Sequence, residues 1–247
     1  MNRPRLTGLV LTHGERSIAP TVESIQDICD QIVIVNDLNT NPEFSQLQLD
    51  LFDGNVAVVD RVFDTFPRQR NAGLEKAIGA WVLVIDSDET ASQSLQLELE
   101  GFQPDNNIEV FTLPRREIFR GRELERVKIG GPHPRLFRSH LRYAQVPKVH
   151  ERLEGWKHDH IGALEGHLLH HRTGSVLELL RKEYLYGKSF GQFSNSETQH
   201  FSWYRLLRQS IGDFAVRDGL HEGIEGAIVT IANIAAKVGE KHSRTTE

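Results

Sequence analysis

The sequence predicts an α/β fold with a mostly parallel central sheet, followed by a helical C-terminal extension. Three observations lead there. Short, continuously apolar runs alternate with stretches of helical periodicity through about residue 113. Those runs lack polar positions, as expected of strands buried on both faces in a parallel sheet covered by helices. From about residue 175 the pattern turns helical.

Thr7 to Thr12 is an apolar run rich in strand formers. Ile18, Val22, Ile25 and Cys29 follow at i, i+4, i+7 and i+11, one face of a helix, with Pro20 in its first turn. Gln31 to Val35 is a second strand, and Asn36 to Pro42 has the composition of a loop. Val56 to Val59 is a third strand. Residues 67–80 read as a helix stopped at Gly79. Trp81 to Ile85 is a fourth strand and Ile108 to Leu113 a fifth. Residues 114–172 mix Gly, Pro, Arg and His with short strand-like pieces at Arg135 to Arg138 and Gly166 to Leu169. The last helix is expected to present Leu220, Ile224, Ala227, Ile228, Ile231, Ala235 and Val238 on one face, with a frayed tail from Lys241. The expected organisation is one domain over 1–172, in two parts (1–113 and 114–172), then a helical extension over 173–247.

A chain of 247 residues with 38% hydrophobic and 26% charged content is neither disordered nor fibrous. Cys29 is the sole cysteine, which excludes an internal disulfide framework and fits a reducing, cytoplasmic setting. The N-terminus shows no signal-peptide pattern, and no run approaches the length of a spanning helix. The net charge of −5 hides an asymmetry. Residues 86–109 hold seven acidic side chains and no Lys or Arg, whereas residues 115–152 hold eleven basic against four acidic. The switch reads either as a metal-collecting corner followed by an anion-handling surface, or as two solvated faces of opposite sign. A pI near 6.2 and the lack of a binding motif count against nucleic acid.

The chemistry concentrates after the fourth strand. Ligands of open parallel sheets bind beyond the carboxyl ends of the strands, and there stands Asp86-Ser87-Asp88-Glu89. In an extended chain, residues i and i+2 point to one side, so Asp86 and Asp88 are expected to reach one Mg²⁺ or Mn²⁺ together. The alternative is an acidic approach to a helix opened by Thr90 or Ser92. Arg68 and Arg70 open a predicted helix, where they either meet phosphate or face solvent. Eight of the twelve histidines fall between His133 and His171, without the cysteines or the His-Glu-x-x-His pattern of a zinc site.

These segments, in this order, resemble the family 2 glycosyltransferases, in particular the branch that includes bacterial lipopolysaccharide-core glucosyltransferases. The resemblance rests on Glu15 to Ile18, Val35 to Asn41, Arg70 to Glu89, Arg135 to Arg138, Val149-His150-Glu151, His170, and Asp218 to Gly226. It implies a GT-A nucleotide-sugar-binding fold and metal-dependent, inverting transfer from a nucleoside diphosphate sugar to a saccharide or lipid-linked saccharide acceptor. It also implies donor contacts from Thr12, Glu15, Asn36, Asp37, Arg68, Arg70, Asp86 and Ser87, and a Mn²⁺ or Mg²⁺ held by Asp86, Asp88 and His170. Glu151 is the implied base, with His150 as its rival. Asn36 and Asn41 stand where the family has Asp. An Asn carboxamide oxygen still accepts a hydrogen bond from a uracil N3–H, but uridine specificity is no longer implied. The rival functions are a degenerate member that binds without turnover, and a nucleotidyltransferase, which the lack of a Gly-rich, Lys-bearing phosphate loop disfavours. The basic C-terminal helices are expected either to touch the inner face of a plasma membrane or to pack on the catalytic domain.

Overall fold

The computed structural model describes residues 3–12, 17–40, 55–124, 133–145, 152–172, 174–193 and 222–245. The chain divides into two units. One comprises Met1–Arg115, Gly131–Val146 and Glu151–His170, and the other Arg116–Gly130, Pro147–His150 and His171–Glu247.

The first unit is built on a seven-stranded sheet. Its strands are β1 (Leu6–Leu11), β2 (Gln31–Asp37), β3 (Val56–Arg61), β4 (Trp81–Asp86), β6 (Val110–Leu113), β9 (His133–Arg138) and β12 (Ile161–Ala163). Their spatial order is β12-β6-β9-β4-β1-β2-β3. The pairs β4–β1, β1–β2, β2–β3 and β12–β6 are parallel, while β9 runs antiparallel to both β4 and β6. Every residue of β1 and β2 is buried, which explains their unbroken apolar runs. Alternate residues enter two cores. Leu6, Val10, Ile32, Ile34, Trp81, Leu83 and Ile85 share one with Val22, Ile25 and Leu95. Leu9, Leu11, Val33, Val35, Val82 and Val84 share the other with Leu74 and Phe137.

The helices are shorter than their periodicity suggests. Helix α1 covers Ala19–Glu23, and turns carry the buried Ile25 and Ile28. Helix α2 (Phe66–Leu74) is capped by the Thr65 hydroxyl and ends five residues before Gly79. The reason is tertiary. The Gln31 side chain holds the Lys76 carbonyl and the Ile78 N–H, and the Thr7 hydroxyl accepts from the Gly79 N–H. Together they steer the chain into β4. A Cβ at Gly79 would stand 2.7 Å from the Thr7 amide nitrogen. One at Gly73 would stand 2.3 Å from Leu9 Cδ1, so α2 lies directly on the sheet. After β4 come β5 (Glu89–Ala91) and α3 (Gln93–Glu100), the latter capped by Ser92. β5 pairs antiparallel with β13 (Leu168–His171), setting His170 opposite Glu89. A small antiparallel pair joins β10 (Arg142–Tyr143) to β11 (Leu153–Glu154).

The second unit contains the hairpin of β7 (Arg115–Phe119) and β8 (Arg122–Leu124), with α4 (Val176–Phe193) and α5 (Gly223–Thr245). Phe119, Leu124, Leu179, Val229 and Ala232 form its core. Arg172 is buried between the carboxylates of Glu117 and Glu183. The expected face of α5 is corrected. Ile231 is 45% exposed, Val229, Thr230 and Ala232 are buried, and Ile228 packs against the same core, while Leu220 lies outside the described residues. The helix has apolar residues around most of its circumference, so spacing alone does not single out the packed face. The helix also continues to Thr245, beyond the expected fraying point. Among the described residues, no helix is long and apolar enough to cross a membrane.

Candidate active site

The end of β2 is a closed polar knot. Asn36 is fully buried. Its Oδ1 accepts from the Thr12 hydroxyl at 3.2 Å, and its Nδ2 donates to Asp60 at 2.8 Å. Thr12 Oγ1 accepts in turn from the Asp37 N–H. The Asp37 carboxylate accepts from the backbone N–H groups of Asn39 and Phe63 and from the Thr40 hydroxyl. Thr12, Asn36 and Asp37 are thus brought together as the sequence implies, but as the staple of a loop. Asn36 directs its amide to Thr12 and Asp60. Glu15 and Asn41 lie outside the described residues.

The end of β4 is charged. β4 stops at Asp86, and Ser87-Asp88 form a turn before β5. The alternation argument, which needs extended backbone, therefore does not apply between Asp86 and Asp88. The two Asp86 oxygens have different partners. Oδ1 accepts from Arg70 Nη2 at 3.2 Å, and Oδ2 from Arg135 Nη2 at 3.0 Å. Burial alone would push the Asp86 carboxyl up. The Arg135 and Arg70 guanidinium groups outweigh burial and hold it well below the usual carboxylate range. Asp88 turns elsewhere. Its Oδ2 is 3.4 Å from His170 Nε2, and both side chains keep some exposure.

Behind the turn is Glu89, with 0% of its surface exposed. Its Oε2 accepts from the Asp86 N–H at 3.1 Å and its Oε1 from Arg135 Nη2 at 3.1 Å, with Arg115 Nη1 at 3.6 Å. Burial raises the Glu89 carboxyl above the ordinary range, with Arg135 opposing. Arg135 is held charged against its own burial by Asp86 and Glu89. The Thr21 hydroxyl closes the turn from the other side, 3.2 Å from the Ser87 carbonyl oxygen and 2.7 Å from that of Glu89. Ser87 contributes backbone, its N–H donating to the Leu11 carbonyl.

Arg70 reaches the site while Arg68 does not. Arg68 is 55% exposed and pairs with Asp64 one turn earlier. Arg70, a little over half a turn round the helix, is buried, with its guanidinium carbon 5.5 Å from the centre of the Tyr143 ring. Sequence reasoning did not single out Glu89, Arg115 or Arg135 as site residues. The available signal was an arginine, Arg135, opening an apolar strand piece, since a buried cation needs buried anions. His150 and Glu151 lie outside the described residues. The other described histidines are dispersed: His140 and His160 meet Glu109, and His158 meets Trp156 edge to face. Among the described residues, no cluster of three His, Cys, Asp or Glu side chains is arranged to hold a metal.

Residues 9–155 match the family model "Glycosyl transferase family 2". No curated protein sequence matches the chain. Its fold is similar to that of S. aureus TarS. The crystal structure of TarS 1-349 in complex with UDP-GlcNAc aligns with a TM-score of 0.53 at 13% identity, covering 91% of this chain and 70% of that one. The structure of TarS 1-349 in complex with UDP gives a TM-score of 0.51 at 15% identity, covering 98% and 92%. The mixed sheet, with its site beyond the end of β4, is the GT-A arrangement expected from the sequence. With the family model covering more than half of its length, the chain belongs to glycosyl transferase family 2 and is a glycosyltransferase.

Proposed function

We propose that the protein transfers a sugar, with inversion, from a nucleoside diphosphate sugar to a saccharide or lipid-linked saccharide acceptor in cell-envelope or lipopolysaccharide-core synthesis. Residues 1–172 carry the chemistry in this reading, and 173–247 are an appended helical region. The observation that carries it is the charge pattern at the end of β4. Three arginines (Arg70, Arg115, Arg135) gather about the half-buried Asp86 and the buried Glu89, beside the Asp88–His170 pair. Such a cradle suits a diphosphate.

A carboxylate beside an imidazole is a donor set that Mn²⁺ accepts more readily than Mg²⁺, which prefers all-oxygen surroundings. Asp88 and His170 would hold the cation, and the diphosphate and water would complete its shell. A cation held there would supply positive charge against the departing diphosphate. Asp86, with an arginine on each oxygen, orients Arg70 and Arg135 in this reading. Glu151 takes the proton of the acceptor hydroxyl as that oxygen bonds to the anomeric carbon. The bond to the diphosphate oxygen breaks on the opposite face, and the electron pair leaves with the diphosphate. His150 is the alternative proton acceptor. The UDP complexes of TarS support a nucleotide-sugar donor.

The test is a thermal-shift panel of nucleoside diphosphates with and without Mn²⁺, followed by release of diphosphate from the matching sugar donor. A metal-dependent shift for one base, with slow release, is expected. A shift without release marks a binder lacking turnover. Glu151→Gln should keep donor binding and slow transfer by at least ~100-fold, the low end for loss of a general base. Near-normal turnover moves the role to His150.

A further inference from the structure

We infer that Glu89 is a positioning residue for the transfer site, holding the Asp86-Ser87-Asp88 turn and Arg135 in register from beneath. The inference deepens the proposed function and rests on it for the role of Asp88. Glu89 is fully buried, and each of its oxygens has a separate task. Oε2 accepts from the Asp86 N–H, fixing where β4 ends and the turn begins. Oε1 accepts from the same Arg135 nitrogen that donates to Asp86 Oδ2, so one guanidinium corner is shared by two carboxylates. The backbone of Glu89 lies opposite His170 across the β5–β13 ladder, and its carbonyl oxygen accepts from Thr21. Asp86, Asp88, Arg135 and His170 are thereby all referred to one residue that itself has no surface with which to touch a substrate. A fold that needed only to fill this space could use an apolar side chain, at no desolvation cost. A buried carboxylate with both oxygens directed at the site's own groups fits positioning instead.

The test compares Glu89→Gln and Glu89→Asp with wild type, using inorganic pyrophosphate as a base-independent probe. Glu89→Gln sets an N–H₂ or a neutral oxygen against groups that require an anion. Glu89→Asp keeps the charge and falls one methylene short, so it protects the test if the first variant does not fold. Calorimetry with and without Mn²⁺ should show metal-dependent pyrophosphate affinity falling at least ~10-fold in both variants, the range for residues behind a metal ligand. Metal-free affinity, which the shared Arg135 also supports, should fall by a smaller factor. Hydrogen exchange of the amides of residues 86–88, without ligand, should quicken by at least ~10-fold while β1 and β2 stay protected. Unchanged exchange in a folded variant overturns the inference, as does an equal loss with and without Mn²⁺. Absence of any Mn²⁺ effect in the wild type sinks the metal reading instead, and the exchange measurement then decides this inference alone.

Discussion

The ends of β2 and β4 stand on either side of β1 and are made of different materials. At β2, Thr12, Asn36 and Asp37 satisfy one another and the backbone amides of the following loop. At β4, Glu89 is out of water and Asp86 half-buried, both held by guanidinium groups, with the partly exposed Asp88 and His170 beside them. The first also buries a carboxylate, Asp37, but answers it with neutral donors and shapes a loop. The second carries a large desolvation cost that only its internal pairing offsets. Where a fold tolerates that cost beside a partly open carboxylate, the site chemistry is the economical explanation.

The sharpest way to break this contrast is Asp88→Asn. It removes the carboxylate of the open pair without touching the buried network. Mn²⁺-dependent pyrophosphate affinity should fall by at least ~100-fold, the upper range for disturbing what surrounds a metal, with an unchanged unfolding midpoint. Metal-dependent binding equal to wild type would remove Asp88 from the site.

Arg135→Met tests the buried side. Two carboxylates lose a shared counter-ion, and urea denaturation at pH 7 should show a loss of about 3–5 kcal/mol. The pH dependence has a definite sign. In the wild type the Asp86 carboxyl is held below its unfolded value, so its pairing adds stability above about pH 4 and loses it as pH falls through the depressed value. Without Arg135 the carboxylates protonate more readily, so the deficit of the variant should shrink as the pH is lowered from 7 to 4. A deficit independent of pH would mean that Arg135 acts by packing alone.

At β2 the corresponding change is Asn36→Asp, which installs the residue the family resemblance implies. It replaces the amide that donates to Asp60 with a second carboxylate in a fully buried position. The expected cost is about 1–3 kcal/mol, largely recovered by adding Asp60→Asn. Failure of the second change to rescue the first would show that the knot is not organised around that pair. The smallest effect belongs to Arg68→Ala, which removes an exposed ion pair and should shift stability by no more than ~0.5 kcal/mol. Donor KM should move less than two-fold, whereas Arg70→Met raises it by ten-fold or more; comparable shifts would return Arg68 to the site.

The strands were legible because fully apolar runs have few alternatives, and β1 to β4 appear where the runs lie. Asp86 and Asp88 were singled out because ligands in such folds gather at strand ends, whereas His170, which lies beside Asp88, came only from the family resemblance. The partition of roles among them was not legible. It depends on a turn at Ser87 and on Arg135, 49 residues from Asp86 in sequence, and local pattern carries no information about such a pairing. The end of α2 was misread for a related reason: side chains of Thr7 and Gln31, remote in sequence, capture the backbone that periodicity would have continued as helix.

Gly73 makes the gap between α2 and the sheet a gauge for the charges above it. It lies one helical turn from Arg70, and a methyl group there would meet Leu9 Cδ1 and Val35 Cγ2. The 3.2 Å separation of Arg70 from Asp86 is therefore set by a residue with no polar side chain at all. Gly73→Ala would jack the helix outward and lengthen that separation, and trimming Leu9 to Ala would let it settle back. The pair amounts to an adjusting screw: the reach of the arginine could be tuned by hydrocarbon volume alone, with every charge in the site left in place.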